Sequence, residues 1–287
     1  MFTMHTSTNY LTIPPAAVDK STEKHIEAIR TEGYTIFPGA ISKEQVAETL
    51  ACVKKWHEKE KDSNYIPPGG PYLNNGTNAD VVLNLQRKDY TFLKTLFCSK
   101  ELNDTLRYHL NDVWYKKIPQ DEPNYILNSY IGRSPKDRQA LHIDAYMPYH
   151  SKYTTNMQCI YVLEDMTPEN GCTLIVPGSH QSGEYCTQEA VKDAKQIHAK
   201  SGDIVLWDGR IWHGTEPNNT DGTRWVLVAH FTRWWIKQIF NVKGVISNEI
   251  LDKLTNGEKA VMGLCSLPHN HEDEGVDIRG GYERLES

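Results

Sequence analysis

The sequence predicts a mainly β fold with flanking helices (α+β), its core a β-sandwich or barrel. Three observations predict it. From about residue 122, short runs rich in aromatic and β-branched residues recur at 124–131, 139–146, 157–163, 172–176, 203–207 and 224–232. Turn signals separate them: Pro135-Lys136-Asp137, Glu169-Asn170-Gly171, Pro177-Gly178, Ser201-Gly202-Asp203 and Asp221-Gly222. The first ~60 residues carry helical periodicity and capping signals instead.

In chain order, Lys24 to Thr31 reads as a short helix that stops before Gly33, and Tyr34 to Phe37 as a strand closed by Pro38-Gly39. Ser42 with Gln45 has the spacing of a capping box. Behind it Val46, Leu50, Val53 and Trp56 form an apolar stripe that faces a core. Residues 62–78 are rich in Pro, Gly and Asn and read as a long loop, of the kind that is often functional. Residues 88–113 read as helical, with Phe92, Leu93 and Leu96 inward. After the β region, 247–255 reads as a last helix and the tail from about 266 as polar loop. The expectation is one domain over 1–287: a helical part to about 120, a β core over about 122–240, and a C-terminal helix and tail over 245–287.

Composition narrows the function. The chain has 287 residues, 39% hydrophobic and 24% charged, which is enough for a large core. A net charge of -6 argues against nucleic acid as a partner. No apolar run reaches the length of a membrane span. The first residues lack a basic segment followed by an apolar one, so the expected location is cytoplasmic. The 6 cysteines form no CxxC pair and read as isolated reduced thiols.

The chemistry-bearing segment is Gln139-Ala140-Leu141-His142-Ile143-Asp144. On a strand, residues two apart share a face, so His142 and Asp144 are expected side by side, with Leu141 and Ile143 turned into apolar packing. His213 follows a strand and turn (203–210) that can bring it to the same cavity. Two histidines and a carboxylate leave open positions on a metal, which suits Fe(II) with a chelating co-substrate and O2. An HxD pair alone is common by chance; the ordered set with a later histidine and arginine is not. That arginine is Arg224, expected beside His213 on the next strand of a hairpin. A guanidinium there can take the distal carboxylate of a 2-oxoacid.

These stretches resemble the phytanoyl-CoA dioxygenase (PhyH) family of Fe(II)/2-oxoglutarate oxygenases. The likeness runs from about residue 28 to 240, over 32–37, 139–144, the Asn-Gly…Pro-Gly-Ser-His element at 169–180, 202–207, His213 and Arg224. It implies a double-stranded β-helix (jelly-roll, cupin-like) core. It implies His142, Asp144 and His213 as iron ligands and Arg224 as the arginine that holds the co-substrate, 2-oxoglutarate. Gln139 and Thr173 match positions that often contact 2-oxoglutarate, and Arg87 matches a basic position more loosely. Ser179 and His180 are expected to shape a turn. Asp144 stands where halogenating relatives carry a small residue, so halogenation is not expected.

The implied activity is oxidation of an unactivated C–H bond of a small metabolite, with O2 as oxidant. Hydroxylation is the default and desaturation or cyclisation the variant, in secondary or amino-acid-derived metabolism. Candidate substrate contacts are Tyr65 and Tyr72 in the Pro/Gly loop, Tyr146 after the ligand motif, and Trp234. Arg133, Lys136, Arg138, Lys152, Arg210 and Arg233 are candidates for an anionic substrate or for a solvated face. On the residues alone two other readings stay open: a cupin-like metal enzyme without O2 chemistry, and a non-catalytic small-molecule binding protein.

Overall fold

The computed structural model describes residues 19–62, 79–113, 115, 117–242, 244–266 and 281–285. Two antiparallel sheets and a helical layer organise them. The helices are α1 (Lys20–Glu32), α2 (Lys43–Asp62), α3 (Tyr90–Leu96), α4 (Lys100–Leu110), α5 (Asn248–Leu251) and α6 (Asn256–Val261). The strands are β1 (Tyr34–Phe37), β2 (Ala79–Val82), β3 (Ile126–Pro135), β4 (Gln139–His142), β5 (Asn156–Val162), β6 (Thr173–Ile175), β7 (Lys195–Ile197), β8 (Ile204–Asp208), β9 (His213–Thr215) and β10 (Val226–Thr232).

One sheet has the order β1-β8-β5-β10-β3-β2, the other β4-β9-β6-β7. From β3 onward the chain steps between them. β3, β5, β8 and β10 lie in the large sheet, and β4, β6, β7 and β9 in the small one. This alternation is the double-stranded β-helix, as the resemblance implied.

The period of two sorts side chains to the two faces of the large sheet. Met157, Cys159, Tyr161, Ile204, Leu206, Leu227, Ala229 and Phe231 face outward and share a core with Ile29, Val53, Phe92, Leu93, Leu96 and Leu106 of the helices. Ile160, Val162, Val205, Trp207 and Val226 face inward and pack with Ile175 and Ile197 of the small sheet. Both faces of β5, β8 and β10 are covered, so these strands read as apolar runs rather than alternating ones.

Local chemistry explains where the sequence reading needs revision. Helix α1 starts earlier than expected and ends at Gly33, whose φ of 84° is left-handed and whose N–H bonds Ala28 O and Ile29 O. A Cβ there would also meet His180 Nδ1 at 2.6 Å. Ser42 does cap α2, accepting from Gln45 N at 3.2 Å. The box is only half made, because the Gln45 side-chain amide donates to Thr49 and Thr95 instead. The expected 88–113 helix splits into α3 and α4, since Ser99 caps the second by accepting from Leu102 N. The last helix likewise splits, because Thr255 and Glu258 form a complete capping box that begins α6.

Strands β2, β7 and β9 carried no clear period in the sequence. β7 is three residues long, lies at a sheet edge and exposes Lys195 and Gln196. The tail contributes a 3₁₀ turn, Tyr282–Leu285, anchored as Gly281 N donates to Tyr115 Oη. All six cysteines are free thiols. Among the described residues no helix is long and apolar enough to cross a membrane.

Candidate metal centre

His142, Asp144 and His213 come together where the two sheets face each other. One ligand atom from each lies within 4.8 Å of the others. His142 ends β4 and pairs directly with His213, which begins β9. Their ring centroids are 4.2 Å apart. The expected strand alternation does not place Asp144, because β4 stops at His142. Instead the backbone turns, and Asp144 N and Ala145 N both donate to Gly209 O, at 2.8 and 2.7 Å. This carbonyl, in the turn between β8 and β9, fixes the carboxylate beside both rings. Gly209 has to be glycine: a Cβ there would run into the Asn156 amide.

The imidazole tautomers are set by backbone. His142 Nδ1 donates to Ala140 O at 3.0 Å and His213 Nδ1 to Ile211 O at 3.1 Å. Each ring therefore turns an unprotonated Nε2 toward the cluster. His213 Nε2 lies 3.3 Å from Asp144 Oδ2, and His142 Nε2 lies 3.8 Å from Oδ1. Trp207 Nε1 donates to Asp144 Oδ2 at 3.3 Å, which orients the carboxylate. Burial pushes His213 down to about 4, so the ring is neutral, as a metal ligand must be. At Asp144, burial alone would raise the pKa; His213, His142 and His230 outweigh it and hold the carboxyl below its usual range.

Arg224 lies just ahead of β10, 2% exposed. It is not beside His213 on a hairpin. β9 and β10 belong to different sheets, and the 216–225 connection crosses between them. Its Nη2 donates to Gly171 O and its Nη1 contacts Met166 Sδ at 3.4 Å. Among the described residues its Nε has no partner and no carboxylate lies within ion-pair distance. Burial pulls this guanidinium down to about 9. A buried charge left without a counter-ion costs several kcal/mol, so stability alone does not account for it. Arg133, on the inner face of β3, connects Arg224 to the cluster. It acts electrostatically on Arg224, and its Nη1 donates to Gln139 Oε1 at 2.6 Å. Gln139 Nε2 in turn lies 3.4 Å from His142 Nε2. Gln139 and Thr173 both pair with Thr215, so the three form one row across the small sheet.

Further along β10 the inner face of the large sheet is polar. Ser129, His230, Gln158 and Trp207 stand in one register row across the large sheet. Asn156 Nδ2 donates to His230 Nε2 at 3.0 Å, and Gln158 Oε1 is buried with no partner among the described residues. The register shift in β3 leaves Asn128 out of the ladder. Its amide contacts Tyr146 Oη at 3.5 Å and accepts from Ile239 N at 3.1 Å. Tyr146 stands 6.4 Å from His230 and is exposed.

The remaining expected residues divide. Tyr65 and Tyr72 lie outside the described residues. Trp234 is not at the cluster: it stacks on Tyr115 at 4.8 Å and donates to Asp112. Arg87 is exposed at the end of a 3₁₀ turn whose Leu85 plugs the outer core, whereas Arg133, Cys172 and Glu164 are the charged or titratable groups acting on Arg224. Arg210 is consumed by a bidentate pair with Asp208. Ser179 bonds Val176 O and Trp212 N, a turn role as expected. Sequence reasoning passed over His230, Gln158 and Thr215, single polar residues in apolar runs whose only signal was that interruption.

A two-sheet roll with a His–Asp–His cluster between its sheets defines the class: a double-stranded β-helix protein with a donor set able to hold a metal ion. The chain belongs to the phytanoyl-CoA dioxygenase (PhyH) family, whose sequence model matches residues 29–226. Dioxygenase af480 of Aspergillus fumigatus is 31% identical over 147 residues, 48% of this chain and 46% of that protein. The chain spans about half the length of the first curated relatives it matches, 46% to 56%. Among solved structures, HygX of Streptomyces hygroscopicus with nickel and 2-oxoglutarate bound aligns with a TM-score of 0.57 at 16% identity, over 77% of this chain and 90% of that one. The epimerase SnoN, in complex with Fe3+, alpha ketoglutarate and nogalamycin RO, aligns with 0.55 at 19%, over 74% and 84%. At these identities the structural likeness establishes the fold.

Proposed function

We propose that this protein is an Fe(II)/2-oxoglutarate-dependent oxygenase acting on a small metabolite. One pair of observations carries the reading: three donors converge between the sheets, and a buried guanidinium against Met166 of the same inter-sheet core has, among the described residues, no carboxylate within ion-pair distance. The donor set fits ferrous iron, with two neutral nitrogens of fixed tautomer and one carboxylate. The guanidinium fits the second carboxylate of a dicarboxylic oxo acid.

In this reading His142 and His213 hold iron through Nε2 and Asp144 through its carboxylate. Bound iron, with 2-oxoglutarate and O2, supplies the oxidising power for an unactivated C–H bond. The chain's own residues position and shield. Arg224 takes the distal carboxylate, and its unpartnered Nε becomes a donor once that anion arrives. Gln139 and Thr173 line the same closed end. Trp207 keeps the Asp144 carboxylate turned to the metal. Asp144 also fills the position a halide would need, which favours hydroxylation or its desaturating and cyclising variants.

The substrate enters at the open end, past Tyr146, and meets His230 and Gln158. An unpartnered acceptor at Gln158 and a neutral imidazole at His230 suit a compact, oxygenated molecule better than a phosphate-bearing one. The fold neighbour SnoN, an epimerase from nogalamycin biosynthesis whose structure holds nogalamycin RO, is in keeping with a small biosynthetic metabolite as substrate. Roll and helices act as one catalytic domain, and six free thiols support a reducing, cytoplasmic setting.

The test is release of succinate from 2-oxoglutarate in air. Wild type with Fe(II) is expected to turn over slowly even without substrate, and His213→Ala to lose this. Activity sustained by Zn(II), with no succinate formed, would replace the oxygenase by a metal enzyme without O2 chemistry.

A further inference from the structure

We propose that Arg133 is a positioning residue. It locks the Gln139 amide so that the NH2 group, not the carbonyl oxygen, faces the metal cluster. The inference rests on the co-substrate reading above and adds what determines the polarity of that edge of the site.

Arg133 and Gln139 flank the turn between β3 and β4. The inner-face position of Arg133 follows from its pairing with Val226, which packs between the sheets. A guanidinium only donates, so the atom of Gln139 at 2.6 Å from Arg133 Nη1 has to be the oxygen. The amide nitrogen is thereby committed to the other side, 3.4 Å from His142 Nε2. That imidazole nitrogen carries no hydrogen, because Nδ1 donates to Ala140 O. Gln139 is buried at 6% exposure, so water does not compete for its orientation.

The consequence is electrostatic. With the NH2 inward, this edge donates to an anion bound beside His142. With the amide flipped, a second oxygen would face the cluster next to Asp144 and repel the same anion. Arg133 thus serves the oxo-acid end of the co-substrate through Gln139, whereas Arg224 serves the distal end. The two arginines of the cavity have separable tasks.

Two probes separate them: 2-oxoglutarate, and 2-oxovalerate, which keeps the oxo-acid end but has no second carboxylate. Each is titrated anaerobically into the Fe(II)-loaded protein, followed by calorimetry and by the visible charge-transfer band. Arg133→Met is expected to weaken both ligands about tenfold, the worth of one hydrogen bond to a charged group. Arg133→Lys is expected to recover part of that loss. Gln139→Glu keeps an acceptor for Arg133 and so preserves the fold. It is expected to weaken both ligands more than Arg133→Met does, without lowering Fe(II) affinity. Arg224→Met is expected to weaken 2-oxoglutarate alone.

Unchanged 2-oxovalerate binding in Arg133→Met and Gln139→Glu, with wild type binding both probes, would overturn the positioning role. So would a loss confined to 2-oxoglutarate, which would put Arg133 at the distal carboxylate. Failure of wild type to bind either oxo acid would instead remove the co-substrate reading, and this inference with it.

Discussion

The inner face of the two-sheet roll has two ends, built on opposite principles. At the closed end, Arg224, Thr173 and Gln139 are 2%, 2% and 6% exposed, and two guanidiniums act on each other. At the open end, His230, Gln158 and Asn128 are neutral amides and imidazole below an exposed Tyr146. Strand β10 runs between them, beginning just after Arg224 and carrying His230 near its far end. Its inward residues become steadily less apolar along the way, from Val226 and Val228 to His230. A rigid charged end recognises one invariant anion. A neutral polar end recognises a shape and a few hydroxyl or carbonyl groups, and a single substitution can retune it.

The sharpest way to break this comparison is to remove the centre that both ends share. His213→Ala is expected to weaken Fe(II) or Mn(II) binding more than about 100-fold by calorimetry, beyond the usual cost of losing an orienting partner. Next is the closed end. Arg224→Met should weaken 2-oxoglutarate about 100-fold while raising the melting temperature of the metal-free protein, because it removes a buried charge that has no counter-ion among the described residues. A fall in melting temperature would show that Arg224 stabilises the fold itself.

A smaller effect is expected at Trp207. Trp207→Phe deletes the hydrogen bond to Asp144 Oδ2 and should cost about tenfold in metal affinity, read in the same titration. At the open end His230→Phe and Gln158→Leu should leave metal and 2-oxoglutarate affinities within about twofold, and change only which small molecules accelerate succinate release. Loss of 2-oxoglutarate binding in either would erase the distinction between the ends.

A separate effect, on stability alone, lies outside the cluster. Burial pushes His109 down to about 4, with Asp208 opposing and Arg233, Arg210 and His180 assisting. The unfolded chain titrates near the ordinary value, so below about pH 6.5 it binds a proton that the folded state refuses. Stability therefore falls as pH drops from 6.5 toward 4, and urea melts of His109→Gln should show a shallower fall than wild type.

How much of this was legible beforehand follows from the kind of signal each feature leaves. The convergent cluster was legible because His142 and Asp144 are two apart and His213 follows a short strand. The reason for their convergence was not: β4 ends at His142, and a carbonyl at Gly209, far along the chain, turns Asp144 into place. Arg224 stood out as a charge in an apolar run, but its neighbour across the cavity could not be read, because sheet membership of β9 and β10 is a tertiary fact. Arg133 looked like any basic residue near a turn, since only the register with Val226 puts it inside. The place of Trp234, away from the cluster, could not be read for a similar reason. An aromatic following a site strand packs where space exists, here on Tyr115.

The most direct measurement is an anaerobic titration of the Fe(II)-loaded protein with 2-oxoglutarate, followed in visible absorption. A weak charge-transfer band should grow to one equivalent in wild type, shift to far higher concentration in Arg224→Met, and be lost in His213→Ala. A wild type with no band, or an Arg224→Met protein that titrates like wild type, would contradict a metal centre paired with a dicarboxylate-binding arginine.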